Sequence, residues 1–308
     1  MRQKEFSDLR IDQIQNFIEI PLNKYRFLSS DFGIVHTIKG IHDVGKFFFK
    51  LNHPYRLSEG RIVLMKSGSI SAIVNLREYK LKANHIAIVS PGTIMEVCYL
   101  SPDCDFMMLA FTEEFLPQEH RNNILQRYLN RQLNQNIPIT DTERSIFEEL
   151  FELIWKIVNS HTFSRTTIQH LIYALLTQIS CTHSFDNPEN NNNNTRQNDI
   201  FNRFIDLVNK YAIKERHLAF YANHLFLTPR YLSTVIKQSS NRTVMEWINE
   251  AITQEAKLQL CHSNKLIYQI SDELNFPNPS FFCKFFRKMT GKTPYEYRTL
   301  WKKTTIHK

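Results

Sequence analysis

A pattern that occurs twice near the C-terminal end constrains this chain more than any other feature. The first copy sets Ala222, Leu225, Leu227, Thr228, Pro229, Leu232 and Ile236 along one stretch, and the second sets Ser271, Leu274, Phe276, Asn278, Pro279, Phe282 and Phe286 along another. The offset between copies is 49 residues before the turn and 50 after it, so the second turn is one residue longer. The spacing predicts a helix, a turn and a second helix in each copy. Ala222 and Ser271 are small enough to let two helices cross closely. Phe226 and Asn275 fall where the first helix must stop, and asparagine tolerates the left-handed conformation such turns need. Thr228 and Asn278 are N-cap residues, and Pro229 and Pro279 suit the first helical position. Leu232 with Ile236, and Phe282 with Phe286, are then the inward face of each second helix. Between the copies, Val244–Cys261 reads as a long helix that holds them a fixed distance apart.

Charge singles out the same region. Residues 191–308 carry 18 Lys and Arg against nine Asp and Glu, while residues 1–190 carry 20 against 21. The whole excess of +8 therefore lies in the last third, an asymmetry expected of a module that meets a polyanion. Just ahead of it, Ser184–Asn198 holds one apolar residue and a run of five asparagines, too little apolar surface to order itself. It reads as a flexible linker.

Upstream, residues 32–111 read as short strands at the spacing of an antiparallel barrel or jelly roll: Arg61–Lys66 and Ser69–Leu76 as a hairpin about Ser67-Gly68, then His85–Val89, Met95–Leu100 and Phe106–Phe111. Two amphipathic helices follow, marked by Phe147, Leu150, Phe151, Ile154, Ile157 and Val158, and by Ile168, Leu171, Ile172, Leu175, Leu176 and Ile179. The stripe Ile168, Leu171, Leu175, Ile179 suits either intrachain core or a homodimer seam. The expected fold class is α+β: an N-terminal antiparallel β-barrel with helices over residues 1–183, a linker over 184–198, and an all-α domain of two helix-turn-helix units over 199–303. Five cysteines without a C-x-x-C pair argue against a disulfide framework or a zinc site. With no signal-peptide core and no apolar run of membrane-spanning length, the expectation is a cytoplasmic protein without a membrane partner.

From about Phe201 to Arg298 the chain resembles the DNA-binding domain of AraC/XylS-type transcription regulators. The likeness rests on A-x-x-L-x-L-[ST]-P-x-x-L-S at Ala222–Ser233, E-A-K-x-x-L at Glu255–Leu260, F-x-x-x-S-x-F at Phe276–Phe282, and the G-x-T-P-x-E-Y-R ending that closes at Arg298. The N-terminal part is similar in outline to the cupin-like domain many members carry. Two departures stand out: Ile270-Ser271 and Asn275-Phe276 replace the usual I-A-x-x-x-G-F, and Ile252 stands where many members have arginine, which removes a phosphate contact there.

The resemblance implies a sequence-specific regulator, not an enzyme, with double-stranded DNA as partner, a homodimer, contact with RNA polymerase, either a small-molecule effector or only a partner subunit at the barrel, and no cofactor. Base edges are read near the start of a recognition helix. Resemblance and helix geometry choose Arg230, Ser233 and Thr234 in the first unit; the outward positions of the second are Ser280, Phe281 and Lys284. Lys237, Arg242, Arg287, Lys288, Lys292 and Arg298 flank these helices as candidate phosphate contacts. Two other classes compete. A metal-cupin enzyme needs several His and a carboxylate on inner strands, yet Gly60–Phe111 offers His85 alone, with Glu78 and Glu96, while His36, His42 and His53 lack ligand-like spacing. A non-specific architectural DNA binder leaves the barrel without a purpose.

Overall fold

The computed structural model describes residues 8–9, 26–36, 51–116, 135–182 and 194–306. It divides into two compact units, one within Asp8–Asp186 and one within Asn187–Lys308. The architecture is α+β, with the strands in the first unit and helices alone in the described part of the second.

In the first unit a five-stranded sheet runs in the order β1 (Asp8–Leu9), β4 (Pro54–Leu57), β9 (Ile94–Leu100), β6 (Ser69–Val74), β7 (Arg77–Lys82). A six-stranded sheet runs β11 (Gln135–Pro138), β8 (His85–Val89), β5 (Gly60–Ser67), β10 (Asp105–Phe111), β3 (Phe32–His36), β2 (Arg26–Leu28). The short β1–β4 pair is parallel; the other described pairs are antiparallel. The sheets pack face to face, Met65, Phe106 and Met108 of one meeting Ile70 and Leu81 of the other. The expected barrel is thus two stacked sheets, each hydrogen-bonded within itself.

The expected hairpin about Gly68 is corrected. β5 pairs with β8 and β10, and β6 pairs with β7 and β9, so Ser67-Gly68 is a corner at which the chain leaves one sheet for the other. The corner demands glycine: its φ is 74°, and a Cβ there would sit 2.3 Å from the Ser101 Oγ and 2.8 Å from the Cys104 backbone. Sequence reading also passed over β7, because Arg77-Glu-Tyr-Lys-Leu-Lys82 buries only Leu81.

The other face of the six-stranded sheet is covered by two helices, α1 (Asp141–Val158) and α2 (Arg165–Thr182). Ile34, Ile62, Leu64, Ile86 and Leu109 of the sheet pack with Phe147, Phe151 and Ile154 of α1 and with Ile168, Ile172, Leu175, Leu176 and Ile179 of α2. β10 is therefore buried on both faces. Thr140 caps α1 through a capping box with Glu143, and His36 bonds Glu152 at 2.9 Å to tie β3 to α1. The α2 stripe is thereby settled: Ile168, Leu175 and Ile179 are buried in the chain's own core, with Leu171 half-buried, so this face is no homodimer seam.

The described part of the second unit begins at α3 (Asn194–Tyr211), so Asn194–Asn198, at the end of the expected linker, are helical; residues 184–193 lie outside the described residues. Five α2 side chains buried at about 1.5–3 kcal/mol each hold that helix on the sheet with on the order of 10 kcal/mol. Leu175→Ala should accordingly destabilise the N-terminal unit by about 2–5 kcal/mol, read as a lowered denaturant midpoint in equilibrium unfolding.

Candidate nucleic-acid interface

The second unit continues with α4 (Leu218–His224), α5 (Pro229–Ser240), α6 (Val244–His262), α7 (Ile267–Glu273), α8 (Pro279–Thr290) and α9 (Pro294–Ile306). Two of these joints are built alike. In the first, Phe226 has φ 56°, the Leu227 N–H donates to the Ala222 carbonyl at 2.9 Å and the Phe226 N–H to the Asn223 carbonyl at 3.1 Å. In the second, Asn275 has φ 55°, the Phe276 N–H donates to Ser271 and the Asn275 N–H to Asp272, both at 3.0 Å. Each is a helix C-terminus closed by a left-handed residue with paired return bonds.

The helices that follow also start alike. The Thr228 Oγ1 accepts from the Tyr231 N–H at 3.2 Å, and the Asn278 Oδ1 from the Phe281 N–H at 3.1 Å, with Pro229 and Pro279 at the next position. Both helices end in the left-handed region, at Asn241 (φ 55°) and Gly291 (φ 75°), and both are followed by a capping box, Thr243 with Glu246 and Thr293 with Glu296. Ala222 and Ser271 are fully buried at the crossings, as are Leu232, Ile236, Phe282 and Phe286 on the inward faces.

On the outer faces Arg230, Thr234, Ser280 and Lys284 are exposed, Ser233 is half-buried, and Phe281 is 58% exposed although aromatic. The Thr234 hydroxyl donates back to the Arg230 carbonyl at 3.0 Å. The repeat register also marks Tyr231, 50 residues before Phe281 and 42% exposed, which the sequence reading omitted and the offset alone would have found.

The flanking cations separate into two groups. Arg287, Lys288 and Lys292 are exposed. Lys237 is exposed too, but its Nζ donates to the Asn241 carbonyl at 2.9 Å, closing its own helix. Arg242 lies over the Trp247 ring at 4.2 Å and pairs with Glu250 at 3.5 Å. Arg298 is half-buried: its Nε donates to the Leu260 carbonyl at 3.1 Å near the end of α6, which ties α9 to α6, and burial lowers its pKa. Ile252 is fully buried.

In the first unit, a cavity of about 80 Å³ lies between the sheets, lined by Val63, Ala72, Leu81, Val97 and Met108, with Arg61 and Tyr79 in its wall. Among the described residues, no three His, Cys, Asp or Glu side chains cluster as metal ligands would, and no helix is long and apolar enough to cross a membrane.

Residues 221–299 match a sequence family described as "Helix-turn-helix domain". The Regulatory protein PocR of Salmonella typhimurium is 29% identical over 119 residues, 37% of this chain and 39% of that protein. The Arabinose operon regulatory protein of Escherichia coli is 30% identical over 81 residues, 26% of this chain and 28% of that protein. The chain thus spans well under half the length of these relatives. The solved structure of ToxT from Vibrio cholerae is similar over 88% of this chain and 98% of its own, with 12% identity and a TM-score of 0.38.

The two capping boxes make stability depend on pH. Hydrogen bonds from the Thr243 and Thr293 backbones, then from their hydroxyls, hold the Glu246 and Glu296 carboxyls below the usual range, with help from nearby Lys and Arg. A depressed folded pKa adds stability that is present above the unfolded value of about 4.3 and lost as pH falls through the folded value. The melting-temperature advantage of the wild type over Glu246→Gln/Glu296→Gln should therefore be largest near neutrality and close as pH drops below about 4.

Proposed function

We propose that this chain, whose C-terminal part carries a helix-turn-helix domain of the AraC type, is a cytoplasmic transcription regulator that acts by sequence-specific binding to double-stranded DNA and not by catalysis. The observation that carries this reading is the duplicated joint. Two helices with the same capped start and buried inner face each project a polar and aromatic outer face, which is the form of a major-groove reader. Arg230, Tyr231, Ser233 and Thr234 would read one box, and Ser280, Phe281 and Lys284 the other, with Arg287, Lys288 and Lys292 on phosphates. Successive major-groove faces lie about 34 Å apart, so one copy of the chain would cover an asymmetric pair of short boxes.

The part up to about residue 183 would be regulatory, residues 184–198 the connection, and 199–303 the DNA-binding domain. The intersheet cavity is the place for a small effector, which would have to enlarge it, since ligand pockets hold about 300–1,000 Å³. A second copy would meet the outward face of α1, where Ile146 and Leu153 are 40% and 44% exposed and Leu150 and Ile157 are half-buried beside them. These recur at four-, three- and four-residue steps, the period of a two-helix seam. Glu149 and Lys156 flank the seam so that an antiparallel copy brings opposite charges together. Contact with RNA polymerase would follow from promoter binding.

The test is selection of duplexes from a randomised pool, followed by titration in rising salt. Affinity should fall steeply with salt. On the selected site, Lys284→Ala should cost about 1–3 kcal/mol and relax preference at one or two base pairs, whereas Lys288→Ala should weaken selected and random duplexes alike. A wild type that enriches no sequence would make the protein an architectural DNA binder instead. For the α1 seam, Ile146→Glu/Leu153→Glu should leave the far-UV circular dichroism unchanged and abolish cooperative binding to paired sites. Wild-type protein sedimenting as a monomer at micromolar concentration, with and without DNA, would refute that seam.

A further inference from the structure

The connection between α3 and α4 is short and fixed to the first helix-turn-helix unit. The Glu215 N–H donates to the Tyr211 carbonyl at 2.8 Å, and the hydroxyl of the fully buried Tyr221 donates to the Glu215 carbonyl at 2.6 Å. The next residue, Arg216, leaves this anchored backbone and reaches the second unit. Its Nη2 donates to the carbonyl of Leu274, and its guanidinium lies over the Phe276 ring, 4.2 Å from the centroid. Leu274 and Phe276 flank Asn275, the left-handed residue of the second turn. The Leu274 carbonyl belongs to the end of α7, where helix carbonyls lack intrahelical partners and favour a cation. Phe276 in turn packs on Phe282 and Phe285 of α8, with centroids 5.3 Å and 5.1 Å away.

A side chain rooted in one unit therefore grips the turn that aims the recognition helix of the other. Helix α6 contacts both units through the middle, but a central axle alone leaves two bodies free to rock about it. A contact away from that axle, made by a planar cation against a ring and a carbonyl, resists rocking. Moving one box by a single base pair shifts it about 3.4 Å along DNA and turns it by about 35°, so small rotations of one unit decide which spacings fit. We propose that Arg216 is a positioning residue that fixes the distance between the two recognition helices and hence the number of base pairs between the two boxes. This rests on the DNA-reading role proposed above.

The experiment uses the full chain and randomised duplex DNA, selected in parallel with wild type, Arg216→Ala and Arg216→Lys, each checked for far-UV circular dichroism. Wild type should enrich two boxes at one spacing. Arg216→Ala should enrich the same boxes over two or more spacings, and its affinity for the wild-type spacing should fall by about three- to tenfold. Arg216→Lys retains the charge and a donor for Leu274 but no planar group for Phe276, and should fall between them. If Arg216→Ala does not fold, the spread of spacings is read on Arg216→Lys. An unchanged single spacing in the folded variant overturns the proposal, as does a uniform loss of affinity for single-box and two-box duplexes with no spread. A wild type that enriches no sequence at all defeats the DNA-reading proposal itself, an outcome visible without any variant.

Discussion

Both helix-turn-helix units pack against the same helix, α6, and that shared contact is the constraint on which the C-terminal unit depends. Val244, Trp247 and Ile248 at its start, Ile252 and Ala256 in its middle, and Leu258, Leu260 and Cys261 near its end are all buried. A helix buried along most of its length must be enclosed by its neighbours, and its buried polar side chains must be hydrogen-bonded. α3 and α5 enclose one part of it, and α8 and α9 another. Buried Thr253 keeps its hydroxyl satisfied by donating to the Asn249 carbonyl at 2.7 Å. Neither repeat could keep its recognition helix in place without it, because two short helices bury too little apolar surface to order themselves.

The C-terminal architecture was legible because its signals are local. A residue that tolerates positive φ, a capping oxygen and a proline at the next position each specify one backbone conformation at one place. Thr228 with Pro229 and Asn278 with Pro279 do so in both copies, whereas a residue that tolerates positive φ is present only at Asn275; Phe226 is marked by the repeat register alone. In the N-terminal unit the signal is periodicity, which says which face is apolar but not what covers it. That is why the α2 stripe alone leaves both core and seam open, and the burial of Ile172, Leu175 and Leu176 against the sheet decides for core. It is also why Ser67-Gly68 read as a hairpin: two adjoining β-runs and a glycine describe a turn, but whether the strands pair or part is decided by β8, β9 and β10 elsewhere in the chain.

Cations were the least legible part of the interface. A count of Lys and Arg locates a basic region without saying which side chains reach outward. Arg298, Arg242 and Arg216 all have long apolar stems and planar heads that stack and donate in a fixed fork, and all three are drawn into the domain's own architecture. The lysines at 284, 288 and 292 are exposed. Their strongly hydrated ammonium groups gain less from a ring or a carbonyl than they lose in leaving water. Residue type alone does not make the division, since Arg230 and Arg287 are exposed and Lys237 is bonded to the Asn241 carbonyl; it is set by the neighbours each cation meets.

The likeness of the two joints ends at the backbone. In the second, asparagine occupies the left-handed position at little cost. In the first, Phe226 is held there with its ring 90% exposed, against a preference of about 1–2 kcal/mol. The return bonds to Ala222 and Asn223 and the cap at Thr228 over-determine that turn, so the strain is carried without changing its shape. Two recognition helices of matching geometry therefore carry unlike surfaces: Arg230, Tyr231, Ser233 and Thr234 on one, Ser280, Phe281, Cys283 and Lys284 on the other. Under the proposed reading of DNA, the backbones could not distinguish one box from the other, so these side chains would. A two-box site for a single copy of the chain would then have a direction set by sequence readout, and a palindrome would require a second copy.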